Sequence, residues 1–239
     1  MNILWLLEEL KISYEIETFH RLKTMLAPEE LKQVHPLGKS PVVSITPPGA
    51  EPIVLAESGF ITQYLSEHYA QGTTLMPRRW KDGQENKVGG ETEEWLRWQH
   101  CLHYVEGSLM QMMMIAMVLN GIKGPDVPFF IRPITAMVSN QVFKMMILPN
   151  AKKHLGFLEK LLETSGGDYL CGKDLTSADI LISFGLISAK DKFVDFGAWE
   201  PKTTYPKVFA YIDRLEALPG YQKSVEKIKA IDSSLGIKF

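Results

Sequence analysis

The sequence predicts a small α/β unit at the N-terminal end followed by an all-helical C-terminal domain. Three observations carry that reading. The first 70 residues of the 239-residue chain change their apolar period several times. Residues 70–90 are polar, have no apolar period and end in Gly89-Gly90. From Glu91 onward every periodic segment has helical spacing. A loss of period at a Gly-rich polar stretch marks a domain boundary, and the expected division is 1–75, a linker at 76–90, and 91–239.

The elements follow in order. Ile3, Leu6, Leu7 and Leu10 form a helical stripe, with Glu8, Glu9 and Lys11 between or beside it. Tyr14-Glu15-Ile16-Glu17-Thr18-Phe19 alternates as a strand. Pro28 to Lys32 starts a short helix with proline in its first turn, where the missing N–H is harmless. Val42–Ile45 and Ile53–Leu55 are strands around the turn Pro47-Pro48-Gly49, a hairpin pattern. Ser58 to Tyr69 reads as a helix with Phe60, Ile61, Tyr64 and Leu65 inward. Past the linker, helices are expected over 91–120, 127–148 and 150–164, and near 177–189, 206–217 and 221–231. There is no internal repeat.

Composition excludes several classes of function. Hydrophobic residues are 45% and charged residues 23%, ordinary for a globular chain and too apolar for extensive disorder. Lys plus Arg is 26 against 28 Asp plus Glu, a formal charge of −2. That balance gives no electrostatic reason to expect nucleic acid or an anionic membrane as partner. Cys101 and Cys171 lie far apart, and neither a CxxC pair nor the spacing of a structural zinc site is present. The reducing cytoplasm is therefore the expected compartment. The apolar opening reaches Glu8 and Glu9 too soon for a signal segment, and no stretch approaches about 18 uninterrupted apolar residues.

Two segments suit a peptide-like, zwitterionic ligand. In His35-Pro36-Leu37-Gly38-Lys39-Ser40-Pro41-Val42, a proline stands at the entry to a strand, a common place for a cis bond. Such a bond turns the preceding backbone outward, where a ligand can pair as an added strand. Lys39 is placed to meet a terminal carboxylate. In Leu55-Ala56-Glu57-Ser58-Gly59, a strand runs directly into a helix whose first N–H groups, with Ser58, suit a second carboxylate, while Glu57 suits an ammonium. Each segment also has a purely structural reading: a tight turn with a solvated lysine, and a serine capping its helix beside a favourably placed acid.

Other motifs concern folding or packing. Thr176 and Asp179 form a capping box with Leu175 and Ile180 as its apolar staple. Five of the eleven methionines fall within Met110–Met117. That flexible, polarizable surface suits irregular apolar ligands as well as a core or dimer contact. Met137, Met145 and Met146 are placed to extend it. His100 and His103 lie three apart with no third ligand in register, so no metal site is expected.

The Trp5–Leu10 helix, Pro28–Leu31, His35–Pro41, Glu57-Ser58, Val105-Glu106-Gly107-Ser108 and the Thr176/Asp179 box resemble, in the same order, the cytosolic glutathione transferases. Tyr104–Leu109 is similar to fungal members of the yeast type. The resemblance implies a thioredoxin-like N-terminal domain, a helical C-terminal domain, a homodimer and glutathione as ligand. It also implies roles: Ser40, before Pro41, pairs with the cysteinyl backbone; Lys39 meets the glycine carboxylate; Glu57 and Ser58 hold the γ-glutamyl end. His20, Arg21 and Lys23 lie where some classes add polar contacts. Tyr104, Ser108, Gln111, Met112 and Met114 are expected to face a hydrophobic small-molecule substrate.

The family's first strand and the following loop, which carries the Tyr, Ser or Cys serving the glutathione sulfur, have no counterpart in this sequence, which opens in the first helix. No catalytic residue is assigned. Tyr14 and Ser13 follow that helix and do not qualify. The expected function is transfer of glutathione, as thiolate, to a bulky hydrophobic electrophile. The alternatives are a glutathione-dependent cis-trans isomerase in a biosynthetic pathway, as in fungal secondary metabolism, and a non-catalytic glutathione-binding relative. A cysteine-based thiol transferase is a poorer fit, because neither cysteine is near the ligand motifs.

Overall fold

The computed structural model describes residues 1–20, 27–125, 127–190 and 199–231. Helix α1 (Asn2–Glu9) buries Ile3, Trp5, Leu6 and Leu7, as its stripe requires. The expected strand at 14–19 does not form: residues 12–20 run as irregular chain. A strand satisfies its N–H and C=O groups only through a neighbour, and among the described residues none lies beside this one. The short helix α2 (Leu31–Val34) leads through a turn into strand β1 (Val42–Ile45), which pairs antiparallel with β2 (Ile53–Ala56). The register sets Val42 opposite Ala56 and Ile45 opposite Ile53. Gly49, at φ 73°, closes the expected turn.

Helix α3 (Ser58–Tyr69) buries Ile61, Thr62, Leu65 and Ser66. Phe60 corrects the expectation. It is 53% exposed and meets Tyr64 edge-on on the outer side of the helix, because the buried face is the one turned toward the helical domain.

That domain begins with α4 (Glu93–Tyr104), capped by Thr92, which accepts from Trp95 N–H at 3.2 Å. A π turn at Val105–Leu109 joins α4 without a break to α5 (Met110–Gly121). The segments expected as separate helices over 127–148 and 150–164 are also one continuous rod. Helix α6 (Arg132–Val142) passes through a second π turn, Phe143–Ile147, into α7 (Leu148–Thr164). Pro149, near the start of α7, lacks the N–H of a helix interior. The π turn just before it runs on into α7, so the rod continues through the proline.

Helices α8 (Ser177–Ala189), α9 (Pro201–Thr204), α10 (Pro206–Ala217) and α11 (Pro219–Ile231) complete the description. The capping box at Thr176 and Asp179 is formed. Asp179, fully buried, accepts from Leu170 N–H (3.0 Å), Thr176 N–H (2.8 Å), Thr176 Oγ1 (2.6 Å) and Tyr211 Oη (2.7 Å). Burial raises its pKa, and these four donors oppose the rise.

Two junctions fix the N-terminal unit on the helical domain. Ser66 of α3 and Ser177 of α8 are hydrogen-bonded at 2.8 Å, and Trp98 Nε1 donates to Ser177 Oγ at 2.9 Å. On the other side, Glu8 of α1 accepts from Lys223 and Lys227 of α11 and from Tyr14 Oη. By length and composition the continuous helix Glu93–Gly121 is apolar enough to cross a bilayer. Its Trp98, Cys101, Leu102, Val105, Leu109 and Met112 are instead buried in the core of this fold.

Candidate functional site

A cleft opens where the N-terminal unit presents its two ligand-suited segments side by side. Its walls are Leu37, Lys39, Ser40 and Pro41 on one side and Ala56, Glu57 and Ser58 on the other. The pairing of β1 with β2 causes this, because Val42 and Ala56 are directly opposed. The residues flanking each strand therefore meet at the same end of the hairpin.

On the first wall, Gly38 turns the chain at φ 58°, its N–H bonded to His35 O at 2.8 Å. A Cβ there would lie 2.8 Å from Lys32 Cγ, so the position is suited to glycine on two counts. The Ser40–Pro41 peptide is cis, as expected. Lys39 and Ser40 are exposed at the cleft.

On the second wall, Glu57 occupies the left-handed region at φ 71°, a conformation costly for a residue with a side chain and typical of binding sites. It forms the step from β2 into α3. The first intrahelical bond runs from Ile61 N–H to Glu57 O at 2.9 Å. The N–H groups of Ser58, Gly59 and Phe60 come before that bond and point out of the helix start, as in anion-binding helix termini.

Ser58 does not cap its helix. Its hydroxyl donates to Glu106 Oε1 at 2.6 Å, across the domain boundary. Glu106 lies in the π turn between α4 and α5. Gly59 lets it come close, since a Cβ there would lie 3.0 Å from Glu106 Cγ. Sequence reasoning quoted Glu106 within a motif and gave it no role in the site. A signal was present: it is the only acidic residue between Glu94 and Asp126 in the sequence.

The five residues expected to face a hydrophobic substrate do not share one surface. Tyr104 is 8% exposed, and its hydroxyl lies 2.8 Å from His154 Nδ1 on α7. Burial raises the Tyr104 phenol and lowers the His154 imidazole. Met112 is buried, while Ser108, Gln111 and Met114 are exposed. The row that continues from Glu106 at helical spacing is Met110 and Met113. Their sulfurs would lie 3.2 and 3.1 Å from a Cβ at Gly185 of α8, so this glycine makes room for both. Met137 and Met145 are exposed on the neighbouring rod.

His20 lies in the irregular segment before residue 21; Arg21 and Lys23 fall outside the described residues. Both cysteines are buried. The contact with Cys101, followed by burial, raises the Cys171 thiol far above its ordinary value. A protonated, enclosed thiol is a poor nucleophile, which opposes the cysteine-based alternative.

Comparison with known proteins defines the class. The glutathione S-transferase N-terminal domain family matches residues 1–67, and the C-terminal domain family matches residues 135–227. The chain is 31% identical to glutathione S-transferase 1 of Saccharomyces cerevisiae over 98% of its own length and 92% of that protein's. It belongs to the glutathione S-transferase family. Glutathione S-transferase 3 of Schizosaccharomyces pombe is 28% identical, over 81% of this chain and 71% of the relative. Among solved structures, a glutathione transferase homologue from Lodderomyces elongisporus, crystallised with two glutathione molecules per subunit, shares the fold. Its TM-score is 0.68 at 20% identity, with 94% of this chain and 92% of that one covered.

Proposed function

We propose that the cleft binds glutathione and presents its sulfur to a bulky hydrophobic electrophile. The observation that carries this reading is the distribution of charge along the cleft. Lys39 stands on one wall, and an open helix start flanked by Glu57 and Ser58 stands on the other. A ligand with a carboxylate at one end and an amino-acid zwitterion at the other complements both. The backbone at Ser40 is the natural partner for the peptide between those ends. Membership of the family supports the same assignment, as do the relatives named for this transfer.

Catalysis in this reading rests on holding the thiolate next to the acceptor, for which a positioned pair gains a large effective concentration. Met110 and Met113, the half-buried row that continues from Glu106 along α5, supply an adaptable apolar surface for that acceptor. Conjugation and double-bond isomerisation share the thiolate-addition step and differ in whether glutathione leaves again; product analysis separates them. A non-catalytic glutathione-binding relative would carry the same cleft, and an assay for conjugated product separates it from the transferase. The protein acts in this reading as a cytoplasmic homodimer.

Calorimetry with glutathione tests the assignment. Ser58→Ala removes the hydroxyl at the helix start and is expected to weaken binding by about 2 kcal/mol. An unchanged affinity removes Ser58 from the site.

A further inference from the structure

Between Met114 and Val142, Ser139 is the one buried residue among those described. The chain stays apolar there all the same. Helices α5 and α6 form a limb that packs mainly on itself and on the adjoining π turns. Ser139 Oγ donates to Leu119 O at 2.7 Å and Lys123 Nζ to Asn140 Oδ1 at 3.1 Å, which ties the two helices together. The turn that joins them ends the limb. It holds out Phe129 and Phe130, 80% and 66% exposed and set edge-to-face at 5.6 Å, with exposed Ile122 and Ile131 beside them. A turn facing water is ordinarily built of small and polar residues.

We propose that this turn is a membrane-docking tip. Phe129 and Phe130, with Ile122 and Ile131, enter the headgroup boundary of a bilayer that carries anionic phospholipid, while the rest of the protein stays in water.

The backbone of the turn suits that environment. A bare N–H or C=O is penalised as water is removed. Here Val127 N–H is bonded to Gly124 O, and Ile131 and Arg132 N–H are both bonded to Pro128 O. The Arg132 guanidinium donates to Pro125 O and Val127 O, each at 2.9 Å. Pro125, Pro128 and Pro133 have no N–H to satisfy.

Charge selects the partner. Residues 107–158 contain five lysines and arginines and one acid, Asp126, although the whole chain has a formal charge of −2. The acidic excess therefore lies elsewhere, and this limb is the part that an anionic surface attracts. The chain-wide balance, which gave no reason to expect a membrane, conceals that asymmetry. A two-fold contact at the tip would set the same positive excess against itself, whereas anionic lipid complements it. The flanks of the limb stay free to pair with a second copy. Lys123 and Arg132, on either side of the ring pair, favour headgroup depth. The limb thus docks without crossing, although the continuous helix Glu93–Gly121 is long enough to cross.

Co-sedimentation of the full chain with phosphatidylcholine vesicles, with and without phosphatidylserine, tests the proposal. The wild type is expected to bind the mixed vesicles, to bind phosphatidylcholine alone more weakly, and to be released by salt. The double variant F129S/F130S should bind the mixed vesicles at least about tenfold more weakly, and Lys123→Glu roughly fivefold more weakly. Both should keep the wild-type melting temperature, sedimentation coefficient and glutathione affinity. A wild type that binds neither vesicle, or both equally, would overturn the proposal, as would unchanged binding by F129S/F130S. Conversion of a dimer to a monomer by F129S/F130S would overturn it too, because the rings would then join two copies. Glutathione affinity is read separately, so none of these failures touches the reading of the cleft.

Discussion

Asp179 shows how one side chain can carry a helical domain without taking part in its chemistry. It is fully enclosed, and it gathers donors from the loop at Leu170, from the helix start at Thr176 and from Tyr211 on α10. Asp179→Ala strands each of those donors in a buried setting, at a cost of about 3 kcal/mol or more. The melting temperature should fall by several degrees or more, while glutathione affinity per folded molecule stays unchanged. Loss of affinity without loss of stability would contradict this. The capping box was legible because its spacing, Thr-x-x-Asp between apolar neighbours, is set by local geometry alone. Glu106 was not legible in that way. Its partner, Ser58, is 48 residues away, and only the packing of the two domains brings them together.

The elements show the same division between local and tertiary control. The hairpin and α3 formed where the pattern put them, because turn residues and apolar alternation act within a few positions. The strand expected at 14–19 has the same alternation and stayed irregular, since a strand needs a neighbour and the pattern cannot supply one. The π turns that fuse α4 with α5 and α6 with α7 left no mark on the apolar period. At the far end of the molecule, α1 is held to α11 by Glu8, which accepts from Lys223, Lys227 and Tyr14. Hydrogen bonds from the two lysines and the tyrosine lower its pKa from 4.5 to about 2. A carboxyl depressed on folding contributes stability that is complete above the unfolded value and is lost as pH falls through the folded one. The Glu8 contribution should therefore fade between about pH 4.5 and 2. Glu8→Gln is expected to cost roughly 1 kcal/mol at neutral pH, after allowance for solvent screening of the lysines. The difference from wild type should shrink as pH falls through that window. Melting curves from neutral pH to pH 2 check it, and a constant difference would contradict the clamp.

At the scale of the molecule, the helical domain keeps a broad apolar surface uncovered. Met114, Ile115 and Val118 of α5 and Ile134, Met137 and Val138 of α6 are all more than 40% exposed. Phe60, edge-on to Tyr64, adds an exposed ring on α3. Exposed apolar side chains gathered on one domain are a usual mark of an interaction site, and two-fold pairing is the commonest way for a single chain to cover them. Sedimentation at concentrations on the order of tens of micromolar should show a dimer, as for a standard-size interface; a monomer there would contradict the proposal.

The arrangement as a whole makes sense if one peptide spans the two walls of the cleft. A crystal structure of the protein soaked with glutathione tests that most directly. The account predicts the glycine carboxylate at Lys39, the cysteinyl backbone paired at Ser40 beside Pro41, and the γ-glutamyl end at Ser58 between Glu57 and Glu106. A reversed peptide, or one bound away from the Ser40 and Ser58 walls, would contradict it.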